Sequence, residues 1–281
     1  MLTRLTDAEF DRYAPWAYDL AMTVEHSSYP TYRDGIKTRE EFMARSQRDD
    51  EEVLLFRHEG EVCGWIHWFA IPEENYAMTV TFLVERHAEE AVAEFAAHVT
   101  RLYPGATLDI GMAAENVQVS RALEKGGFRL LESSVNHTIF FADYQPEPPV
   151  ENVSLMTATD EADFRRLHSF PDMYWNADRI LADLSIWRVY LYRRGGRPVG
   201  VLCCKVKDDW PEVFSVAWEG DAFQPDIYRD LMAACLRDVK SSGSIHMTYF
   251  EEEEQALPIL AALGCTRVGR YLGYRRELKG E

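Results

Sequence analysis

The chain has 281 residues, 47% hydrophobic and 27% charged, and a formal net charge of -17. That length exceeds one ordinary core and suits two domains of about 140 residues each. With 13 basic against 25 acidic residues in 1–145 and 17 against 22 in 146–281, neither half offers the basic face that phosphate backbones need. Nucleic acid is therefore not expected as a partner, whereas a cationic or amine-bearing small molecule suits the field.

No run of about 18 apolar residues occurs, and MLTRLTDAEF lacks the apolar core of a signal peptide, so no membrane association and a cytoplasmic location are expected. The cysteines Cys63, Cys203, Cys204, Cys235 and Cys265 show no CxxC or Cys/His ligand spacing; they read as free thiols, mostly buried, with no metal expected.

Thr6-x-x-Glu9 is a capping box, and Phe10, Tyr13, Ala17 and Leu20 continue it at helical spacing. His26 to Ile36 reads as a loop carrying Tyr29 and Tyr32, and Thr38-x-x-Glu41 opens a second helix to about residue 47. Strands follow at 53–58, 61–70 and 76–84. Ala88, Val92, Phe95, Ala96, Val99 and Leu102 mark a helix that Pro104-Gly105 ends. A strand at 107–113, a short helix at 116–125 and strands at 128–134 and 135–142 complete the first half.

Residues 143–152, DYQPEPPVEN, carry three prolines and no apolar periodicity, which is the composition of a stiff linker. The second half repeats the order in shortened form. Helices fall near 160–168 and 178–185, strands at 188–194, 197–206 and 212–218. A helix from about Asp226 carries Ile227, Leu231, Cys235 and Val239 on one face. A strand at 244–250, a helix at 252–262 and strands at 265–270 and 271–278 finish the chain.

The repetition is visible in the residues themselves. LLFRHEGEVCGWI (54–66) lies over YLYRRGGRPVGVL (190–202) at an offset of 136, each a strand, a glycine turn and a strand with Gly64 or Gly200 at the same place. KGGFRLL (125–131) lies over ALGCTRV (262–268) at 137, so the expected domains are 1–142 and 153–281.

This element order resembles the GNAT superfamily of acyl-CoA-dependent N-acyltransferases, once per copy. That family commonly has Asn, Ala three residues on, then Tyr, Lys and Gly-Phe on the helix after the fifth strand. Here Asn116, Lys125, Gly127 and Phe128 match, while Val119 and Leu123 replace the alanine and the tyrosine. The resemblance implies an α/β (α+β layered) fold: two tandem GNAT-like domains, each a mixed, mostly antiparallel twisted sheet flanked by helices. It also implies acetyl-CoA as co-substrate. Pantetheine would run along the splayed fourth strand, at Leu83 and Val84, and pyrophosphate would sit on the helix start at Arg86, His87, Ala88 and Ala91, near Asn116.

The sequence departs from the family at two points. Glu89 stands where a glycine lets the backbone approach the phosphates, and two carboxylates there repel an anion by roughly 1 kcal/mol each when solvated. Leu123 and Leu260 stand where a tyrosine protonates the leaving thiolate. Ser120 and Tyr249 are the remaining catalytic candidates. His26, Tyr29 and Tyr32 are candidates for an amine pocket, with loop packing as their alternative. Glu251 to Glu254 read as a solvated helix start.

Three functions are compatible with these residues. The first is an acetyl-CoA-dependent N-acyltransferase in which a small amine attacks the thioester directly. The second is a non-catalytic GNAT-fold protein that binds a ligand or partner. The third, an acyltransferase with an aminoacyl-tRNA donor, is opposed by the acidic charge. A homodimer is left open.

Overall fold

The computed structural model describes residues 1–30, 51–142, 144–170, 173–206 and 211–279. The helix expected over 38–47 and Tyr32 lie outside the described residues. Two compact units emerge: Met1–Val135 with Val268–Glu281, and Asn136–Arg267. The repeat assigns the whole C-terminal segment to the second copy by sequence. By packing, the residues from Val268 onward count with the first unit.

In the first unit, β1 (Leu2–Arg4) precedes α1 (Asp7–Ala21), β2 (Glu52–His58), β3 (Glu61–Ile71) and β4 (Tyr76–Val84). Then come α2 (Ala88–Leu102), β5 (Thr107–Ala113), α3 (Val117–Lys125) and the strand β6 (Arg129–Phe140), which belongs to this unit as far as Val135. Helix α1 begins where the capping box places it, because Thr6 and Glu9 satisfy each other's end of the first turn. Strands β1 to β4 are antiparallel neighbours in chain order, and β5 joins β4 in parallel.

The far side of β5 pairs antiparallel with the last strand of the chain, β12 (Thr266–Glu277), from Tyr271↔Ala113 to Glu277↔Thr107. Apolar residues collect on the two faces of this sheet. Phe56, Ile66, Phe82, Phe95, Leu123 and Tyr274 form the core toward α2 and α3. Leu55, Trp65, Leu83, Ala14 and Ala17 form the core toward α1.

The second unit repeats this plan with β7 (Val153–Leu155), α4 (Glu161–Leu167), α5 (Ala177–Ala182), β8 (Trp187–Arg194), β9 (Arg197–Lys205) and β10 (Glu212–Trp218). After them come α6 (Pro225–Ser241), β11 (His246–Glu251) and α7 (Leu257–Ala262). The copies agree in detail. Phe56 faces Gly64 and Tyr192 faces Gly200, and each hairpin has a register shift just after those residues, at Phe56/Arg57 and Tyr192/Arg193. A bulge kept at the same place in both halves is a property of one duplicated unit.

Two expectations change. The pairs 128–134/135–142 and 265–270/271–278 are single long strands, β6 and β12. Neither joint carries a turn residue pair that would reverse the chain. The five cysteines are free, and only Cys265 is not fully buried. Among the described residues, no helix is long and apolar enough to cross a membrane.

Gly111 of β5 lies under the Tyr271 ring, where an added Cβ would come within 2.0 Å of the hydroxyl and 2.6 Å of ring carbons. Because Tyr271 is buried, the ring has little room to retreat. Gly111→Ala should therefore destabilise the protein by about 1–3 kcal/mol in urea denaturation. An unchanged midpoint would contradict this close approach.

Candidate functional site

The parallel pairing of β4 and β5 covers only Tyr76↔Thr107 to Met78↔Asp109. Beyond it the strands diverge. In an antiparallel ladder successive residues turn their backbone groups to opposite sides. The Glu85 amide donates to the Cys63 carbonyl at 2.9 Å, so Glu85 and Leu83 serve β3, while Val84 and Phe82 face the gap toward β5.

Two of those gap-facing groups, the Phe82 amide and the Val84 carbonyl, are met by the segment after α1 and by Gln118 of α3. The Phe82 amide donates to Ser28 Oγ at 2.5 Å, and the Ala113 amide of β5 donates to the Ser27 carbonyl at 3.1 Å. Gln118 Nε2 donates to the Val84 carbonyl and to His26 Nδ1, both at 3.0 Å. His26 Nδ1 also lies 3.3 Å from the Val84 carbonyl, so His26, Gln118 and that carbonyl form one cluster. Ser27 and Ser28 are both buried. The gap between the strands is thus stitched by hydrogen bonds from the chain's own loop.

Of the residues expected to hold a cofactor, Val84 turns its carbonyl into this gap. Leu83 does not: its backbone serves β3 and its side chain packs toward α1. Phe82, one residue earlier, supplies the amide instead. Strand alternation, counted back from the turn at Glu85, is the signal that could have found it. Asn116 is fully buried; its Oδ1 accepts from the Val119 amide at 3.4 Å and its Nδ2 donates to the Ser27 carbonyl at 3.4 Å, so it caps α3 and anchors the loop.

At the start of α2, His87 is the N-cap residue in the left-handed region (φ 62°). Ala88 and Ala91 are buried against the core, and the Ala91 amide already bonds the His87 carbonyl at 3.0 Å. Arg86 is exposed and pairs with Glu61 at 3.1 Å and Glu85 at 3.6 Å. Glu89 is held by Lys125 of α3 at 2.7 Å. The carboxylates here are tied to the protein's own cations rather than left open to repel a ligand from every side.

The face of the sheet toward the loop carries the acceptor candidates. Tyr29 stacks on Tyr271 with centroids 5.3 Å apart and planes 6° from parallel. Nearby, Arg275 grips Asp109 through two contacts of 2.7 Å, and the Tyr76 hydroxyl donates to Asp109 at 3.0 Å. Burial raises the Tyr76 and Tyr271 phenols above their ordinary range, so both stay protonated donors. A cavity of about 260 Å³ adjoins the loop, lined by Ala21, Met22, Val24, Ser27, Tyr29, Pro30, Glu115 and Val268. Tyr29 and Ser27 therefore join cavity and gap.

Ser120 lies elsewhere. Its hydroxyl is 2.7 Å from that of Tyr274, which also donates to Glu124 at 3.2 Å. Ser120 and Glu124 are one turn apart on a side of α3 different from that of Gln118, so Ser120 is not turned to the gap.

In the second unit β10 and β11 pair only at Glu212↔Thr248 and Val213↔Tyr249 before diverging. Tyr228, from α6, donates to Glu251 Oε2 at 2.5 Å at the end of β11, and its ring meets Trp218 at the end of β10 and Phe223. Tyr249 is buried in the same core and hydrogen-bonded with Glu251 and Tyr228. Glu251 is a buried strand residue rather than the first of a solvated helix, and its amide partner is Glu253 at 2.7 Å. Aromatic rings and a buried carboxyl thus gather at the ends of these two strands.

No family model matches the sequence, and no curated protein matches it. Solved structures do. A GCN5-related N-acetyltransferase from Sphaerobacter thermophilus matches with a TM-score of 0.69 at 13% identity, over 100% of this chain and 96% of that one. A tandem GNAT protein from the clavulanic acid biosynthesis pathway matches with a TM-score of 0.59 at 13% identity, over 100% and 99%. A GCN5-related glucosamine N-acetyltransferase region of a fungal multi-domain GH3 β-N-acetylglucosaminidase matches with a TM-score of 0.66 at 12% identity, over 98% of this chain and 38% of that one. The chain has the tandem GNAT fold.

Burial raises the Glu251 carboxyl above its usual range, against the lowering effect of Tyr228, Glu253 and Tyr249. The folded state thus holds this proton more tightly than the unfolded chain. The stability contributed is full below the unfolded carboxyl pKa and is lost as pH rises through the folded one. Glu251→Gln should flatten the fall in urea stability as pH rises above the ordinary carboxylate range. An unchanged slope would contradict the buried, raised carboxyl.

Proposed function

We propose that the chain is a cytoplasmic acyl-CoA-dependent N-acyltransferase that acts on a small amine by direct attack, with the first copy as the working one. The observation that supports this most is the gap between β4 and β5, where the Phe82 amide and the Val84 carbonyl meet groups of the kind that an acylated pantetheine carries. Ser28 Oγ stands where a thioester oxygen would accept from Phe82, and Gln118 stands where a pantetheine amide would donate to Val84.

In this reading acyl-CoA displaces the Ser27–Ser28 segment and lays its thioester against Phe82. The Phe82 N–H polarises the carbonyl and steadies the oxyanion. An amine from the cavity attacks the carbonyl carbon; the new C–N bond forms, the C–S bond breaks, and the proton lost by the amine nitrogen ends on the CoA thiolate. Glu115 favours a positively charged acceptor at the cavity wall. Amino sugars are the first acceptors to assay, since the glucosamine N-acetyltransferase region shares the fold.

A second reading, a non-catalytic GNAT-fold binding protein, is favoured by Glu89 at the helix start and by Leu123 and Leu260 in place of a phenol. Titration calorimetry with acetyl-CoA separates the two. The acyltransferase reading predicts measurable binding that Ser28→Ala strengthens about fivefold, the equivalent of about 1 kcal/mol for one competing hydrogen bond. Glu89→Gly should strengthen it by a similar factor. Absence of binding in all three proteins at millimolar ligand would leave the second reading standing.

A further inference from the structure

We propose that His58, His87 and Glu90 form a site for a divalent transition-metal ion of the zinc class. The three residues come from the end of β2, the N-cap of α2 and its first turn. Their ligand atoms all lie within 4.8 Å of one another. His58 Nδ1 is 2.6 Å from Glu90 Oε2, and His87 Nδ1 is 4.0 Å from Glu90 Oε1. The two imidazole rings are stacked, with centroids 3.7 Å apart and planes 12° from parallel.

These separations bracket what an ion requires. Zinc bound by imidazole nitrogen and carboxylate oxygen at about 2.0–2.2 Å in a tetrahedron holds its ligands roughly 3.3–3.6 Å apart. Bringing the three atoms to that spacing takes shifts of about an ångström, and the stacked rings must also tilt out of parallel so that their in-plane lone pairs converge on one ion. Two imidazoles and one carboxylate also form a donor set suited to zinc, cobalt, nickel or copper rather than to calcium or magnesium. One or more positions stay open to solvent, because His87 and Glu90 are exposed at 37% and 53% of their side-chain area.

The neighbouring charges leave the site available. Lys125 is engaged by Glu89, and Arg86 by Glu61 and Glu85, so among the described residues no lysine or arginine is seen on Glu90. The left-handed backbone at His87 fixes where its side chain leaves the chain, over the His58 ring rather than along α2. No linear ligand motif exists to be read, since His58 and His87 are separated by β3 and β4. The site shares His87 with the helix start where the resemblance places pyrophosphate, but its test uses zinc alone and needs no acyl-CoA, so either reading can fail without the other.

The test is calorimetric titration of the full chain with zinc chloride after chelator treatment, with cobalt absorption as a second readout. One ion per chain is expected, together with a higher melting temperature and cobalt d–d bands of a low-coordinate nitrogen–oxygen site. Supporting groups around a metal ligand are worth 10–100-fold in affinity, so losing a ligand through His87→Asn or Glu90→Gln should cost at least about tenfold. Asn tolerates the left-handed backbone, and an unchanged metal-free melting temperature would show that each variant folds. Absence of zinc binding would overturn the proposal. So would binding that both variants leave intact, which would put the ion on others of the eight histidines.

Discussion

A β-strand's backbone can serve two neighbours, and a buried amide left without either costs about as much as a lost hydrogen bond. Strand β4 meets this requirement along its β3 side except at a register shift that skips Val80, and for only three residues on its β5 side. From Thr79 onward it must find other partners, and the Phe82 amide finds Ser28. The burial of the Ser27–Ser28 segment, the anchoring role of Asn116, the two-way reach of Gln118 and the position of His26 all follow from filling that gap. A ligand entering there must offer the same donors and acceptors or leave the gap's groups unpaired.

The two copies line the ends of their diverging strands with different chemistry. The first uses hydroxyls, a carbonyl and a side-chain amide, which are exchangeable for other polar groups at small net cost. The second uses Trp218, Phe223, Tyr228 and the buried Glu251, where opening the gap would expose aromatic surface and leave a carboxylate short of partners. Physical exchangeability is thus the argument for assigning binding to the first copy and a structural role to the second. In the proposed acyltransferase reading, Glu89 and Leu123 stand where a glycine and a phenol are expected, but neither fills the gap between the strands.

Much of this was legible in the sequence because it is local. The bounds of β4 and β5 follow from apolar runs closed by turn residues, and the repeat at an offset of 136 placed Gly64 and Gly200 at the same point of two matching hairpins. The packing of Val268 onward with the first unit was hidden, because KGGFRLL and ALGCTRV align in sequence and local pattern does not choose a strand's distant partner. The Ser28 contact with Phe82 spans 54 residues and involves only a hydroxyl and an amide. The cluster of His58, His87 and Glu90 is invisible for the same reason. Glu251 misled because an acidic run looks solvated, whereas β11 buries its first member.

The central claim is that the gap beside β4 is a binding cleft held shut by an exchangeable plug. Amide chemical shifts of Phe82 and Ala113, followed by NMR during titration with acetyl-CoA, test it most directly. The account predicts that both amides shift together, along one saturation curve, as Ser27 and Ser28 leave them. Saturable binding with both amides unmoved would contradict it.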